Sequence, residues 1–340
     1  VSVVKLHRAA TPRLFVVLAA SVILLLAAIG LSLLVGSNPI PPREVFAAIF
    51  LRDSSPEATV ILTQRLPRTL LGLAVGVALG AAGALMQGHT RNPLAEPGLF
   101  GVNAGAAFGV VLLSFAFHID STASIVFAAL LGAAGATAVV IVAAWAGRAK
   151  GTPVTLALTG ASLGAVLTAA TTGIVLLDKQ SLDVMRFWSV GSLTGRPQDT
   201  FGLIVGMIAL GLVLAFINAP GVTALGLGDD MARSLGNRVA AVRILGVVGI
   251  TLLAAAGTAA CGPIAFLGLV APWAVRGFTG PRYTWLIPLA GIAGAVVMLF
   301  SDVVARIAVP QGELPVGLVI AVIGAPVLIA VVSRRKAAQL

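Results

Sequence analysis

Apolar runs of about 20 residues recur along this chain, separated by short polar gaps, and few folds suit that pattern. A helix of this length crosses the hydrocarbon core of a bilayer. Membrane strands would need only about 10 residues with alternating polarity, and no such alternation is present. Candidate helical spans fall at residues 14–36, 66–90, 97–117, 122–146, 153–177, 200–218, 239–260, 264–279, 286–307 and 315–333. Charged residues make up 10% of the chain and apolar ones 59%, whereas a soluble domain carries about 25% charge to cover its surface. The expected fold is therefore all-α, a polytopic transmembrane helix bundle of about ten spans forming one domain over residues 1–340.

Basic residues give the bundle an orientation, because cytoplasmic loops are enriched in Lys and Arg. An even span count puts both termini on one face. That face carries 14 of the 22 basic residues, including Arg148 and Lys150, and only Glu96, Asp229 and Asp230 among the 12 acids. The opposite face holds the rest, including Arg52 and Arg196. Both termini are expected in the cytoplasm, with the chain in the inner (cytoplasmic) membrane. The apolar stretch after Lys5, Arg8 and Arg13 is long and has no small-residue cleavage site, so it reads as the first span and not as a signal peptide.

The net charge of +10 does not point to nucleic acid, because the basic residues lie in gaps between spans and form no single patch. One cysteine, Cys261, allows neither an intrachain disulfide nor a cysteine-cluster metal site. His7, His89 and His118 are far apart, and no HExxH pattern is present. Ionisable groups inside a span mark ion-coupled carriers. Here the clear case is Asp302, with Arg306 four residues on along the same helical face. A structural pair outweighs a proton relay there. None of the four lysines follows a glycine, so the chain has no P-loop. Any ATP and Mg chemistry would belong to a separate subunit.

Small residues recur at i, i+4: Gly72, Gly76, Gly80, Ala84 and Gly88 in the second span, and Gly101, Gly105 and Gly109 in the third. Such stripes let helices pack closely; lining a wide pathway is the second reading. Two loops stand out. Residues 218–238 contain Leu225-Gly-Leu-Gly-Asp-Asp-Met-Ala-Arg-Ser-Leu-Gly236. Asp229 and Asp230 suit a helix start, and Gly236 suits its stop. A short helix outside the membrane is expected there, as a docking element for a cytoplasmic partner. The other loop, Gln87 to Gly98, has helix-breaking Pro93 and Pro97. It reads equally as a gate or as a rigid turn.

Several motifs, in order from about residue 60 to 330, resemble the FecCD family of permeases. They are Arg65-Leu-Pro-Arg68, Gly83-Ala-Leu-Met-Gln87, Arg91-Asn-Pro-Leu-Ala-Glu-Pro-Gly98, the Leu225–Gly236 run, Gly262-Pro-Ile-Ala-Phe-Leu-Gly-Leu-Val-Ala-Pro272, Asp302-Val-Val-Ala-Arg306, Glu313-Leu-Pro-Val-Gly317 and Gly324-Ala-Pro326. The resemblance implies a type II ATP-binding-cassette importer moving an iron–siderophore complex, haem or vitamin B12. It implies ten helices, a second permease (identical or paralogous), two cytoplasmic ATPases, and an extracytoplasmic solute-binding protein. Asp229, Asp230, Met231, Ala232, Arg233, Ser234, Leu235 and Gly236 would form the coupling helix. Asn92, Pro93 and Leu94, with Thr152, Pro153 and Val154, would match cytoplasmic gate positions. Arg65, Arg68 and Arg306 would face the binding protein; for Arg65 and Arg68, anchoring a helix end at the interface is the other reading. Trp273 and Gln198 depart from the family pattern. The Arg186-Phe-Trp188…Gly-Arg196 wording favours siderophore permeases.

Overall fold

The computed structural model describes residues 5–36, 38–51, 55–146, 152–195, 199–309 and 312–337. Arg52, Arg148, Lys150, Arg196 and Gln198, singled out above, lie outside them. The elements are α1 (Lys5–Leu34), α2 (Pro42–Phe50), α3 (Pro56–Val60), α4 (Leu66–Thr90), α5 (Val102–Phe117), α6 (Thr122–Ala146), α7 (Pro153–Leu177), α8 (Lys179–Trp188), α9 (Phe201–Leu225), α10 (Asp229–Ser234), α11 (Val239–Cys261), α12 (Leu267–Thr279), α13 (Tyr283–Ile307) and α14 (Val316–Ala337). No strand occurs among the described residues.

Helices occupy all ten expected span positions. Among the described residues seven are long and apolar enough to cross a membrane: those in α1, the continuous α3–α4 run, α6, α7, α9, α11 and α13. Helix α5 and the Val316–Ala330 part of α14 are apolar but shorter, and α12 has 13 residues.

Helix α4 is the axis of the bundle, with α13, α11, α12 and α9 packed around it. Its small residues explain this position. A Cβ on Gly76 would lie 2.5 Å from Ala295 Cα of α13, and one on Gly83 would lie 1.8 Å from Gly268 O of α12. The α5 stripe works the same way against α6, where a Cβ on Gly109 would meet Ala128 O at 2.3 Å. Both stripes are thus helix-packing surfaces. Helices α5, α6 and α7 form a second group. Helices α1 and α7 bury little of their length.

Two span boundaries and one helix differ from the sequence expectation. The second span starts at Pro56 instead of Leu66, because Ser55 caps it by accepting from Ala58 N (3.2 Å) and Pro56 suits the first turn. A π turn, Ile61–Arg65, joins α3 to α4 just before Pro67. The proline lacks an N–H and crowds the carbonyl of Thr63, and a widened turn relieves both. The sixth span runs on through Pro220 to Leu225, so the connecting loop is shorter than residues 218–238. Asn218 stays inside the helix because its side chain donates to Val242 O (3.0 Å). The non-spanning helix α8 was not anticipated; Asp178 caps it by accepting from Ser181 N (2.7 Å).

Candidate functional site

Helix α4 carries a polar cluster at each end. At its N-terminal end two of the three arginines of interest, Arg68 and Arg306, gather around one acid. Asp302 of α13 is fully buried. Arg68 donates to it through Nε (3.0 Å to Oδ1, 3.1 Å to Oδ2) and through its terminal nitrogen (2.8 Å to Oδ1). Arg306 adds Nε to Oδ2 at 3.0 Å and a second contact from its terminal nitrogen. Both carboxylate oxygens are therefore occupied, and the i, i+4 pairing with Arg306 is present. Arg306 also reaches α1, donating to Ser32 O and Ser32 Oγ, each at 2.8 Å. Ser32 Oγ meets Thr69 Oγ1 at 2.8 Å, and Thr69 donates to Arg65 O at 2.7 Å.

Arg65 has no carboxylate partner among the described contacts. It donates to Leu33 O (2.7 Å), Leu34 O (2.9 Å) and Asn38 O. These carbonyls lie at and just beyond the end of α1, where the helix dipole favours a cation. Arg65 and Arg306 are only 7% and 4% exposed, so their charge is directed inward. Arg68 reaches the surface through Glu313, at 2.6 Å, and Glu313 also accepts from Thr194 Oγ1 (3.0 Å). Partial burial opposes ionisation of Glu313, but Arg68 and Thr194 outweigh it and hold the carboxyl below its ordinary value. A cavity of about 620 Å³ opens beside this pair, between the starts of α4 and α9. The Arg68–Glu313 contact had no local sequence signal.

At the other end of α4, helix α10 folds as anticipated. Gly236 takes a left-handed φ of +83°. Its N–H bonds Arg233 O and the next N–H bonds Ala232 O, the double closure of a Schellman stop. Ala232 is fully buried with Ala224, Leu225 and Val239, while Leu227, Met231 and Leu235 are exposed. Asp230 pairs with Arg233 at the surface (2.7 Å). Asp229 turns inward to Arg91 and to Arg243 of α11 (2.6 Å). These two partners escaped the sequence reading, although Arg91 directly precedes Asn92. Nearby, His89 Nε2 accepts from Asn218 Nδ2 (3.1 Å) inside the bundle.

The segment Asn92–Pro93–Leu94 is a tight turn in which Asn92 Oδ1 accepts from Leu94 N (3.0 Å). Glu96 then accepts from Phe266 N (2.9 Å) at the entry to α12. Burial pushes the Glu96 carboxyl up, partly offset by that N–H. Thr152 caps α7, accepting from Thr155 N (3.3 Å), with Pro153 in the first turn and Val154 exposed. Helix α7 packs directly on the turn that follows Glu96, since a Cβ on Gly160 would lie 2.1 Å from Leu99 O. A groove of about 490 Å³ runs between α5 and α7, lined by Asn103, Thr168, Thr171 and Thr172 among small apolar residues.

A model of the FecCD transport family matches residues 24–334. The chain belongs to the FecCD transport family. Among its FecCD relatives, the ferric enterobactin transport system permease protein FepD of Escherichia coli is 42% identical over 313 residues, covering 92% of this chain and 93% of FepD. The Fe(3+)-citrate import system permease protein YfmD of Bacillus subtilis is 39% identical over 307 residues, covering 90% and 91%. A solved chain described as a metal-chelate type ABC transporter in an inward-facing conformation superposes with a TM-score of 0.82 at 27% identity, covering 94% of this chain and 99% of that one. This FecCD chain is therefore a transport permease with the helical architecture of a metal-chelate ABC transporter.

Proposed function

We propose that the chain is the membrane permease of an ATP-driven importer that carries a ferric chelate, foremost a ferric siderophore, into the cytoplasm by alternating access. The observation that carries this reading is α10. It is a defined helix with one face buried against the bundle and an exposed apolar face, Leu227, Met231 and Leu235. The chain has no P-loop of its own, so such a face suits a separate cytoplasmic ATPase that binds ATP and Mg. The relatives' names refer to ferric enterobactin and Fe(3+)-citrate, which favours a ferric chelate over haem or vitamin B12 as the cargo.

The groove beside α7 supports the same reading. It offers hydroxyl and amide groups without an ionised side chain among the described lining residues. An uncharged wall gives weak contacts, and weak contacts permit release. A second permease, identical or paralogous, would close this side. Asn92–Leu94 and Thr152–Val154 would form the cytoplasmic gate. At the opposite face a solute-binding protein would dock through charge pairs that set encounter and register. Arg68, next to the surface acid Glu313, is the arginine best placed for it, with Arg65 and Arg306 bracing α4 from within.

The test is ATP-dependent uptake of radioactive iron by proteoliposomes holding the permease, its ATPase and its binding protein. Ferric siderophore and ferric citrate should enter only with ATP. Uptake by the permease alone under a pH gradient would replace this reading with a proton-coupled carrier on Asp302. Uptake restricted to haem or vitamin B12 would reassign the cargo.

A further inference from the structure

The turn after α4 and the helix α10 were singled out separately in the sequence, and one chain of charges joins them. Asp229 opens α10. One of its oxygens accepts from Arg91 and the other from Arg243 of α11 at 2.6 Å. Arg91 is the residue that ends α4, with a left-handed φ of +52°, a conformation uncommon outside glycine. The residue that aims the chain into Asn92–Leu94 is thus also the one that grips α10.

Beyond Arg91 the segment is stiff. Asn92 Oδ1 accepts from Leu94 N (3.0 Å) and Asn92 O accepts from Ala95 N (3.1 Å). Its far end is latched to α12 by Phe266 N donating to Glu96 (2.9 Å). Pro97 packs there against Gly268, whose ideal Cβ would lie 2.8 Å from Pro97 Cδ. Residues 91–97 therefore form a short bar strung between α10 and α12. The two arginines on Asp229 sit differently. The Arg243 side chain is 10% exposed and that of Arg91 is 40% exposed. The deeper contact anchors Asp229 on α11. The exposed one adds little stability but fixes where the bar lies relative to α10.

We propose that the Arg91–Asp229 ion pair is the link through which displacement of α10 reaches the Asn92–Leu94 segment, with Asp229 a positioning residue anchored by Arg243. Its transport consequence rests on α10 being the ATPase-facing element; the link itself does not. The full chain is placed in nanodiscs in a Cys261→Ser background, with spin labels on Leu94→Cys and Leu235→Cys. Pulsed electron resonance should give one narrow distance distribution. Arg91→Ala should broaden it, and Arg91→Lys, which keeps the charge, should restore it. An unchanged width in Arg91→Ala overturns the link, and so does a broadening that lysine does not repair.

In the assembled transporter, Arg91→Ala should keep ATPase binding and hydrolysis. Solute moved per ATP should fall about tenfold, within the usual range of coupling between two sites, with recovery in Arg91→Lys. Loss of ATPase binding in Arg91→Ala overturns the proposal, because the residue would then serve docking. If the unmodified chain recruits no ATPase, the importer reading falls while the spin-label result still judges the link.

Discussion

Gly80 of α4 and Ala290 of α13 meet backbone to backbone: a Cβ on Gly80 would lie 2.2 Å from Ala290 O. A carbonyl cannot yield as a flexible side chain does, so any larger residue at position 80 must separate the two helices. Gly80→Val is expected to destabilise the bundle by about 1–3 kcal/mol, the usual cost of overpacking a core. Gly206→Ala in α9, where nothing lies within 4 Å of the added carbon, is the control and should not destabilise, gaining up to about 1 kcal/mol from the better helix former. Thermal unfolding in detergent decides the matter; equal midpoints for both variants would remove α4–α13 packing as the organising contact.

Among the described residues Asp302 is the sole acid that Arg306 contacts, and it is shared with Arg68. Removing it leaves two guanidinium groups facing each other in a buried site, a change that costs about 3–5 kcal/mol when one partner of a buried pair is lost. Asp302→Ala should therefore fold poorly. Adding Arg306→Met should recover part of the loss, since the pair acts as a unit. A proton carrier would behave otherwise, keeping its fold in Asp302→Ala and losing only pH-driven uptake. Folded yield and melting temperature of the single and double variants separate the two.

These clusters show what the sequence displays and what it hides. Helix positions were legible because apolar length is a local property, and so was the Asp302–Arg306 pair at i, i+4. The cap at Gly236 was legible too. The partner of Arg68 was not, because Glu313 lies 245 residues away. Thr63, Gln64 and Arg65 precede the span expected at 66–90. They are helical because Arg65 finds carbonyls of α1 about 30 residues earlier. Helix α9 continues past Pro220 for a similar reason, with Asn218 held by α11. In each case a distant contact overrode a local signal.

The Glu313 carboxyl is held below its ordinary value of 4.5, with burial opposing and Arg68 and Thr194 prevailing. A lowered value in the folded state means that the stabilisation is complete above the ordinary value and is lost as pH falls through the folded one. Acidification from about pH 5 to about pH 3 should therefore lower the melting temperature more in the wild-type chain than in Glu313→Gln, which has no such proton to take up. Parallel pH profiles would show that the Arg68–Glu313 contact contributes nothing to the fold.

Ala232 is the pivot of α10: fully buried, and the donor of the first intrahelical bond, to Gly228 O at 2.9 Å. Proline there removes that N–H and costs about 3 kcal/mol in a helix interior, more than a six-residue helix can sustain without its packing. The cluster it joins is separate from the main core, so Ala232→Pro should leave the bundle's melting temperature close to wild type. The exposed face of Leu227, Met231 and Leu235 would lose its shape, and ATP-driven uptake should vanish or the ATPase should dissociate. Asp230→Ala provides the contrast, because its pair with Arg233 is solvent-exposed and such pairs add little. Pull-down of the ATPase together with uptake measurements checks both variants. Wild-type transport in Ala232→Pro would remove α10 as the element that receives the motor's motion.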